Sequence, residues 1–311
     1  PPRSTLFPYT TLFRSDHSAA EDGDGSESRP FETISQATDE CRGKILIKNG
    51  TYSENVSLKK STELFGENQQ KTAISGRVTM GDRTALENLT VRGSSTTVVV
   101  EKDADVEIKS CIIKDFAKIG IETLAGGGKF KIFDSKIHSG GGKGFYIQRG
   151  KAIEIRNNEI YENDEEGLDI RSSVSGVVEK NILRKNGESG IELVVGSADL
   201  KIRNNLLEKN GASGVAVQFY PELDRRGQIH LKDNKLGENR KYGLDCNRPQ
   251  GGSPGDSYWQ DSLELETNDI YSNKLGAINA YCKLVDAVDE DEEKDNSDRK
   301  STRLNSSHRI R

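Results

Sequence analysis

Three stretches of this chain can be written one under another: Ile153–Ile170 reads IEIRNNEIYENDEEGLDI, Gly176–Leu193 reads GVVEKNILRKNGESGIEL, and Leu200–Val217 reads LKIRNNLLEKNGASGVAV. In each, apolar residues fall at the same offsets from an anchoring Asn: Asn158, Asn181 and Asn205. The pattern extends back to Cys111 and Ser135 and forward to Asn234 and Asn268, in steps of 24, 23, 23, 24, 29 and 34 residues. Three residues before each anchor stand Ile108, Ile132, Ile155, Val178, Ile202, Leu231 and Leu265. Two after it stand Ile113, Ile137, Ile160, Leu183, Leu207, Leu236 and Ile270. Ten after it stand Ile121, Phe145, Leu168, Ile191, Val215, Leu244 and Ile278. Self-similarity at such a period is the mark of a repeat architecture.

Within each copy the apolar residues come in three short bursts at period two, separated by Asn, Asp, Ser and Gly. Strands this short cannot make a sheet alone. Stacked coil on coil, each strand pairs in parallel with its counterpart about 4.8 Å above, and the apolar columns fill a narrow interior. The expected fold is all-β: a parallel β-helix of roughly nine to ten coils, a quasi-one-dimensional solenoid. The anchor Asn residues are expected at left-handed turn positions and as a hydrogen-bonded ladder between coils. A second set follows at Asn163, Asn186, Asn210, Asn239 and Asn273.

The composition agrees. Of 311 residues 32% are hydrophobic and 31 are Gly, with 45 Lys+Arg against 50 Asp+Glu and a formal charge of −5. A thin core needs few apolar residues. No apolar run approaches the roughly 20 residues of a membrane span, and charges of both signs alternate, unlike a basic nucleic-acid footprint.

Outside the repeat the chain divides into pieces. Residues 1–15 (PPRSTLFPYTTLFRS) and 299–311 (RKSTRLNSSHRIR) resemble translated sequencing-adapter DNA, of the kind fused to proteins from metagenomic assemblies. Without them the charge of residues 16–298 is −12. Residues 16–29 read as an acidic disordered linker, 30–284 as the β-helix and 285–298 as an acidic tail. Phe31–Arg42 is expected as a short amphipathic helix, with Ile34, Ala37 and Thr38 inward, capping the open end. Two copies carry inserted loops, around Phe219–Gly227 and Asn247–Asp261, whose Tyr220, Arg225, Arg248 and Trp259 suit sugar rings.

The run FETISQAT, then GKILIKNGTYSENVSLKKSTELFGE and ALENLTV, with the later NxIxxNxxxG(I/L/V) copies, resembles right-handed β-helix proteins of the pectin lyase-like superfamily. The resemblance spans about residues 30–284 and implies secreted or cell-surface proteins: lyases, hydrolases, esterases and C5-epimerases of acidic polysaccharides, besides adhesins and tailspikes. A fold does not fix a function. Gly50-Thr51-Tyr52-Ser53-Glu54 is similar to a pectin methylesterase opening that is not catalytic. Gln260-Asp261-Ser262-Leu263 is similar to the esterases' Gln-Asp-Thr-Leu but lacks its Asp-Phe-Ile-Phe-Gly partner. Asn163–Asp169 faintly resembles the polygalacturonase Asn-Thr-Asp-Gly-Ile-Asp, without the companion motifs. The Asp-Pro-His-Asp of alginate epimerases is absent, and no family catalytic set is complete.

One outward column carries chemistry: Glu122, Tyr146, Asp169, Glu192, Ala216, Asp245 and Asn279. Asp169 and Glu192 are expected on adjacent coils of an exposed strip, where paired carboxylates raise each other's pKa or share a cation, Ca²⁺ above all. Glu165, Glu166 and Glu188 lie at the rim, with Arg171 near. Glu122, Tyr146 and Asp245 are the expected sugar contacts. Asp169, Glu192, Glu166 and Arg171 are the candidates for catalysis, against a bland reading as a solvated acidic face. His138 and His230 lie in different columns and form no triad. Cys111 and Cys246 read as buried thiols, with Cys41 and Cys282 left open. The function expected is polysaccharide binding, acidic polysaccharide first; the alternative is a lyase, hydrolase or C5-epimerase acting on uronates.

Overall fold

A computed structural model describes residues 12–148, 150–171, 174–195, 199–219, 228–247 and 263–282, with 302–303 and 308–309. Strands recur in threes, as in Gly150–Arg156, Glu159–Tyr161 and Leu168–Ile170. The first members of these triplets form one sheet, the second members another and the third members another, each strand pairing with its counterpart in the next coil. The pairing within the coils is parallel, and its register follows the columns: Ile132 with Ile155, Ile137 with Ile160, Phe145 with Leu168. The expected parallel β-helix is what forms. Ile108, Ile113, Ile121, Ile155, Leu183 and Ile191 are all 0% exposed, so the columns are the core.

Two ladders of carboxamides run through that core. Asn158 donates Nδ2 to Asn181 Oδ1, Asn181 to Asn205, Asn205 to Asn234 and Asn234 to Asn268, at 2.9–3.0 Å. The second runs Asn163, Asn186, Asn210, Asn239 and Asn273. Each inner rung is fully satisfied. Asn181 Oδ1 accepts the N–H and Nδ2 of Asn158, while its own Nδ2 also reaches Ile155 O at 2.8 Å. A dry core tolerates such groups only when every bond is made.

The left-handed residue is not the anchor, as expected, but the one before it: Ser110, Asp134, Asn157, Lys180, Asn204, Asp233 and Thr267 have φ of 50–56°. That turn aims the following Asn inward, where its side chain reaches the next coil. Beside the second ladder, Gly144, Gly167 and Gly190 pass close to the neighbouring coil. A Cβ on Gly190 would meet Gly214 O at 2.9 Å and Asn210 Nδ2 at 3.0 Å, so bulk is excluded there.

The expected cap is present as the helix Ile34–Glu40, with Ile34, Ala37 and Thr38 buried. Glu54 accepts the backbone N–H groups of Ile34 and Ser35, both at 2.9 Å, as a carboxylate should at a helix start. Buried Tyr52 donates to Ser15 O and Lys48 O. The Gly-x-Tyr-x-Glu stretch therefore fastens the cap.

Phe13–Ser15, within the stretch that resembles adapter sequence, pairs in parallel with Gly43–Ile47, and Ser15 is fully buried. Two expectations need correcting. Residues 16–29 are not a disordered linker: Asp16 N–H bonds Phe31 O at 2.8 Å, and Arg29 pairs with Asp22 and Asp24. Cys246 is no thiol. The final turn, closed by Cys282 N–H on Asn279 O, brings Cys282 against the strand Tyr242–Cys246, and the two are disulfide-bonded at a Cα separation of 5.2 Å. Cys41 and Cys111 are free and buried. Thr302–Arg303 and His308–Arg309 pair antiparallel with the last coil.

Candidate functional site

The third sheet places the outward column as the repeat requires. Glu122 pairs with Tyr146, Tyr146 with Asp169, Asp169 with Glu192, Glu192 with Ala216 and Ala216 with Asp245. The column is not one exposed strip, however. Asp169 is 0% exposed, because two long cations fold over it. Lys143 Nζ lies 2.5 Å from Asp169 Oδ2 and 2.8 Å from Glu166 Oε2. Arg171 Nη2 reaches the same Asp169 oxygen at 2.5 Å, and its Nη1 stands 3.7 Å from Glu192 Oε1. Both cations also flank the Tyr146 ring, at 5.9 and 5.5 Å from its centroid. Two buried atoms here lack hydrogen-bond partners: Asp169 Oδ1 and Arg171 Nε. Unsatisfied buried polar atoms are uncommon in folded proteins.

The electrostatics are uneven. Burial acts to lower the Lys143 pKa, but its hydrogen bonds to Asp169 and Glu166 outweigh that and hold it well above the usual lysine range. Burial raises Asp169, against the pull of Lys143 and Arg171. It raises Glu192 too, with help from the charges of Glu166 and Asp169. Glu166 goes the other way: bonds from Lys143 and Glu188 overcome its burial and keep it low. Glu188 is pushed up to about 7, first by sharing a hydrogen bond with Glu166 and then by partial burial. The result is an ionised carboxylate beside a carboxyl that holds its proton near neutrality.

Asp169, Glu166, Glu192 and Arg171 are thus brought together, with Tyr146 above them. Glu122 and Asp245 are not part of the cluster. Glu122 accepts from Gln148 Nε2 at 2.9 Å, and Asp245 from Ser213 Oγ and Asn279 Nδ2. Ala216 separates Asp245 from Glu192. Tyr220, Arg225, Arg248 and Trp259 lie outside the described residues. Lys143 was not anticipated from the sequence. Its signal was there: it stands two residues before Phe145 as Glu166 stands two before Leu168, and those two apolar residues pair.

Glu166, Asp169 and Glu192 each offer a carboxylate oxygen within 4.8 Å of the others. Ca²⁺ wants six to eight oxygens at 2.3–2.6 Å. Between these carboxylates sits the Lys143 ammonium, with the Arg171 guanidinium beside it. The donor set does not fit a divalent ion, because the chain supplies its own counter-charge.

The family described as "Right handed beta helix region" matches residues 73–220. No curated protein matches the chain. Among solved structures it is similar to pectate lyase Pel9A, with a TM-score of 0.52 and 14% identity over 86% of this chain and 77% of that one. It is also similar to the catalytic domain of a GH87 α-1,3-glucanase, with a TM-score of 0.50 and 11% identity over 90% of this chain and 67% of that one. The A-module of Azotobacter vinelandii mannuronan C-5 epimerase AlgE6 aligns at a TM-score of 0.47 and 14% identity, over 79% and 90%. The fold is the right-handed parallel β-helix. No helix among the described residues is long and apolar enough to cross a membrane.

Proposed function

We propose that this protein binds polysaccharide across the third sheet, with Tyr146, Arg171, Glu192 and Glu188 as its contacts. The observation that carries this reading is the convergence of an aromatic ring, two cations and four carboxyls on adjacent coils, where Asp169 Oδ1 and Arg171 Nε have no bond of their own. Sugars are recognised by such sets: a ring for the C–H face and convergent polar groups for the hydroxyls. Likeness to polysaccharide-acting β-helix enzymes supports the ligand class. A uronate chain would use Arg171, while Glu188 in its protonated form adds no repulsion. Oxidised Cys246–Cys282 accords with a secreted or cell-surface protein.

The test is a glycan array on the full chain. Tyr146→Ala and Arg171→Gln should each weaken retention by roughly tenfold while melting stays cooperative. Undiminished retention in both would overturn the reading. A second reading, cleavage of the glycosidic bond, is favoured by one observation: Glu188 keeps its proton to about pH 7 and could deliver it to a leaving oxygen. Reducing-end analysis of the retained glycan separates the two. New reducing ends, lost in Glu188→Gln, mean hydrolysis; intact glycan means binding alone.

A further inference from the structure

A different face of the solenoid carries a second constellation. On the second sheet, Arg92, Lys114, His138, Tyr161 and Arg184 form one column, each in register with the next. The His138 and Tyr161 rings stack, with centroids 4.7 Å apart and planes at 11°. The Arg184 guanidinium lies over Tyr161 at 4.8 Å. Ring faces are therefore spent on one another, and what the column offers a ligand is edges and charges. His138 engages Ser139 Oγ through Nδ1, at 2.9 Å, which leaves Nε2 for a ligand. The cations are only loosely paired: Lys114 with Asp115 at 3.5 Å and Arg184 with Glu159 at 3.8 Å, contacts worth little at a surface. At the column's last rung half-buried Ile182 stands beside Arg184 and pairs with half-buried Leu206 on the next coil, where the column ends in Glu208, so the two form a short apolar ridge at that end.

We propose that this second-sheet column binds a linear anionic polysaccharide lying along the solenoid axis, on a surface separate from the third-sheet cluster. Three observations converge on that occupant. The chain is acidic overall, at −5, yet this column carries three cations and no carboxylate from Arg92 to Arg184. The rungs repeat at the strand spacing of about 4.8 Å, a length of the order of one sugar ring, so successive acidic sugars can meet successive donors. The apolar ridge suits the C–H faces of the same chain. A small anion would use one rung and gain nothing from the other four.

Affinity electrophoresis of the full chain through gels holding polygalacturonate tests this, with dextran as the neutral control and duplex DNA as a polyanion without the sugar repeat. Polygalacturonate should retard the protein, less so as salt is raised, and dextran and DNA should not. Lys114→Ala/Arg184→Ala should weaken binding by roughly tenfold or more with the melting temperature unchanged. Tyr161→Phe, which keeps the stack, should cost only a few-fold. The same loss should appear when the double variant is made in a Tyr146→Ala background, where the third-sheet contacts are already weakened. The proposal is overturned if the wild type is not retarded, if dextran or DNA retards it equally, or if the double variant binds as before. If Tyr146→Ala alone abolishes retardation, the polyanion sits on the third sheet; that outcome sinks this proposal and leaves the other reading standing.

Discussion

Glu188 and Glu166 show how two carboxyls of the same type are driven apart by a few ångströms of context. Glu166 is buried against Lys143 and stays ionised; Glu188, at the solvent edge, shares its proton with Glu166 and titrates at about 7. The folded value of Glu188 stands above the ordinary 4.5. Its stabilising contribution is therefore complete below about pH 4.5 and is lost as pH rises through 7. Urea unfolding at pH 5 and pH 8 should show the wild type losing more stability between them than Glu188→Gln does. Equal losses would mean that the proton is not shared. The buried ion cluster is the complementary case. Asp169 is tolerable at 0% exposure because Lys143 and Arg171 hold it, and an unpaired charge there would cost several kcal/mol.

At the scale of one coil, the sequence made the architecture readable because each structural duty repeats at a fixed offset. The anchor at 158, 181 and 205 and the apolar positions around it are the ladder and the core columns themselves. Asn181→Ala removes the acceptor of two Asn158 donors and the donor to Ile155 O. With about 1–3 kcal/mol for each buried group left unpaired, the loss should reach roughly 3–5 kcal/mol in denaturant unfolding. Exposed Lys201→Ala, one coil on, should stay within about half a kcal/mol. Comparable losses would refute the ladder as a load on stability. What the offsets did not disclose were contacts that leave the column. Lys143 crosses from its own rung to Asp169, 26 residues away, and the reach of a long flexible side chain is invisible in a table of rungs. The His138–Tyr161 stack was hidden similarly, since its members differ in type although they share a column. Asp169 and Glu192 were legible as neighbours, but not that Asp169 would be covered.

Over the whole molecule, stability is a chain of nearest-neighbour interfaces closed at both ends. The N-terminal end is shut by the helix Ile34–Glu40 and the strand Phe13–Ser15. At the other end the Cys246–Cys282 bond, spanning 36 residues, ties the last coil to the one before it. Cys282 lies beyond the last clear repeat, so no column could foretell that pairing. Cys246→Ser should cost roughly 3–4 kcal/mol by loop-closure entropy. Hydrogen exchange should then accelerate first in 263–278 and leave the Asn158–Asn205 region protected. Uniform acceleration along the chain would mean that the solenoid melts as one unit instead of fraying.

Strict coil-on-coil register has a consequence for how the molecule can change its length. Every column is renewed from one anchor to the next, so the chain is a printed tape in which a whole frame can be cut without altering the frames around it. Cys111–Asp134 is such a frame, 24 residues from one anchor to the residue before the next. Splicing Ser110 to Ser135 would bring one left-handed turn residue onto the next frame's anchor and shorten the molecule by a single rise of about 4.8 Å. The cluster from Lys143 to Glu192 would be untouched. The spliced chain should fold and keep the third-sheet cluster, whereas a cut extended through Lys136 would remove the anchor Ser135 itself and break the turn of the spliced coil, the later frames staying in register as they do across the 29- and 34-residue steps. Size in this protein is therefore quantised, and lineages carrying it can lengthen or shorten the surface they present by counting frames.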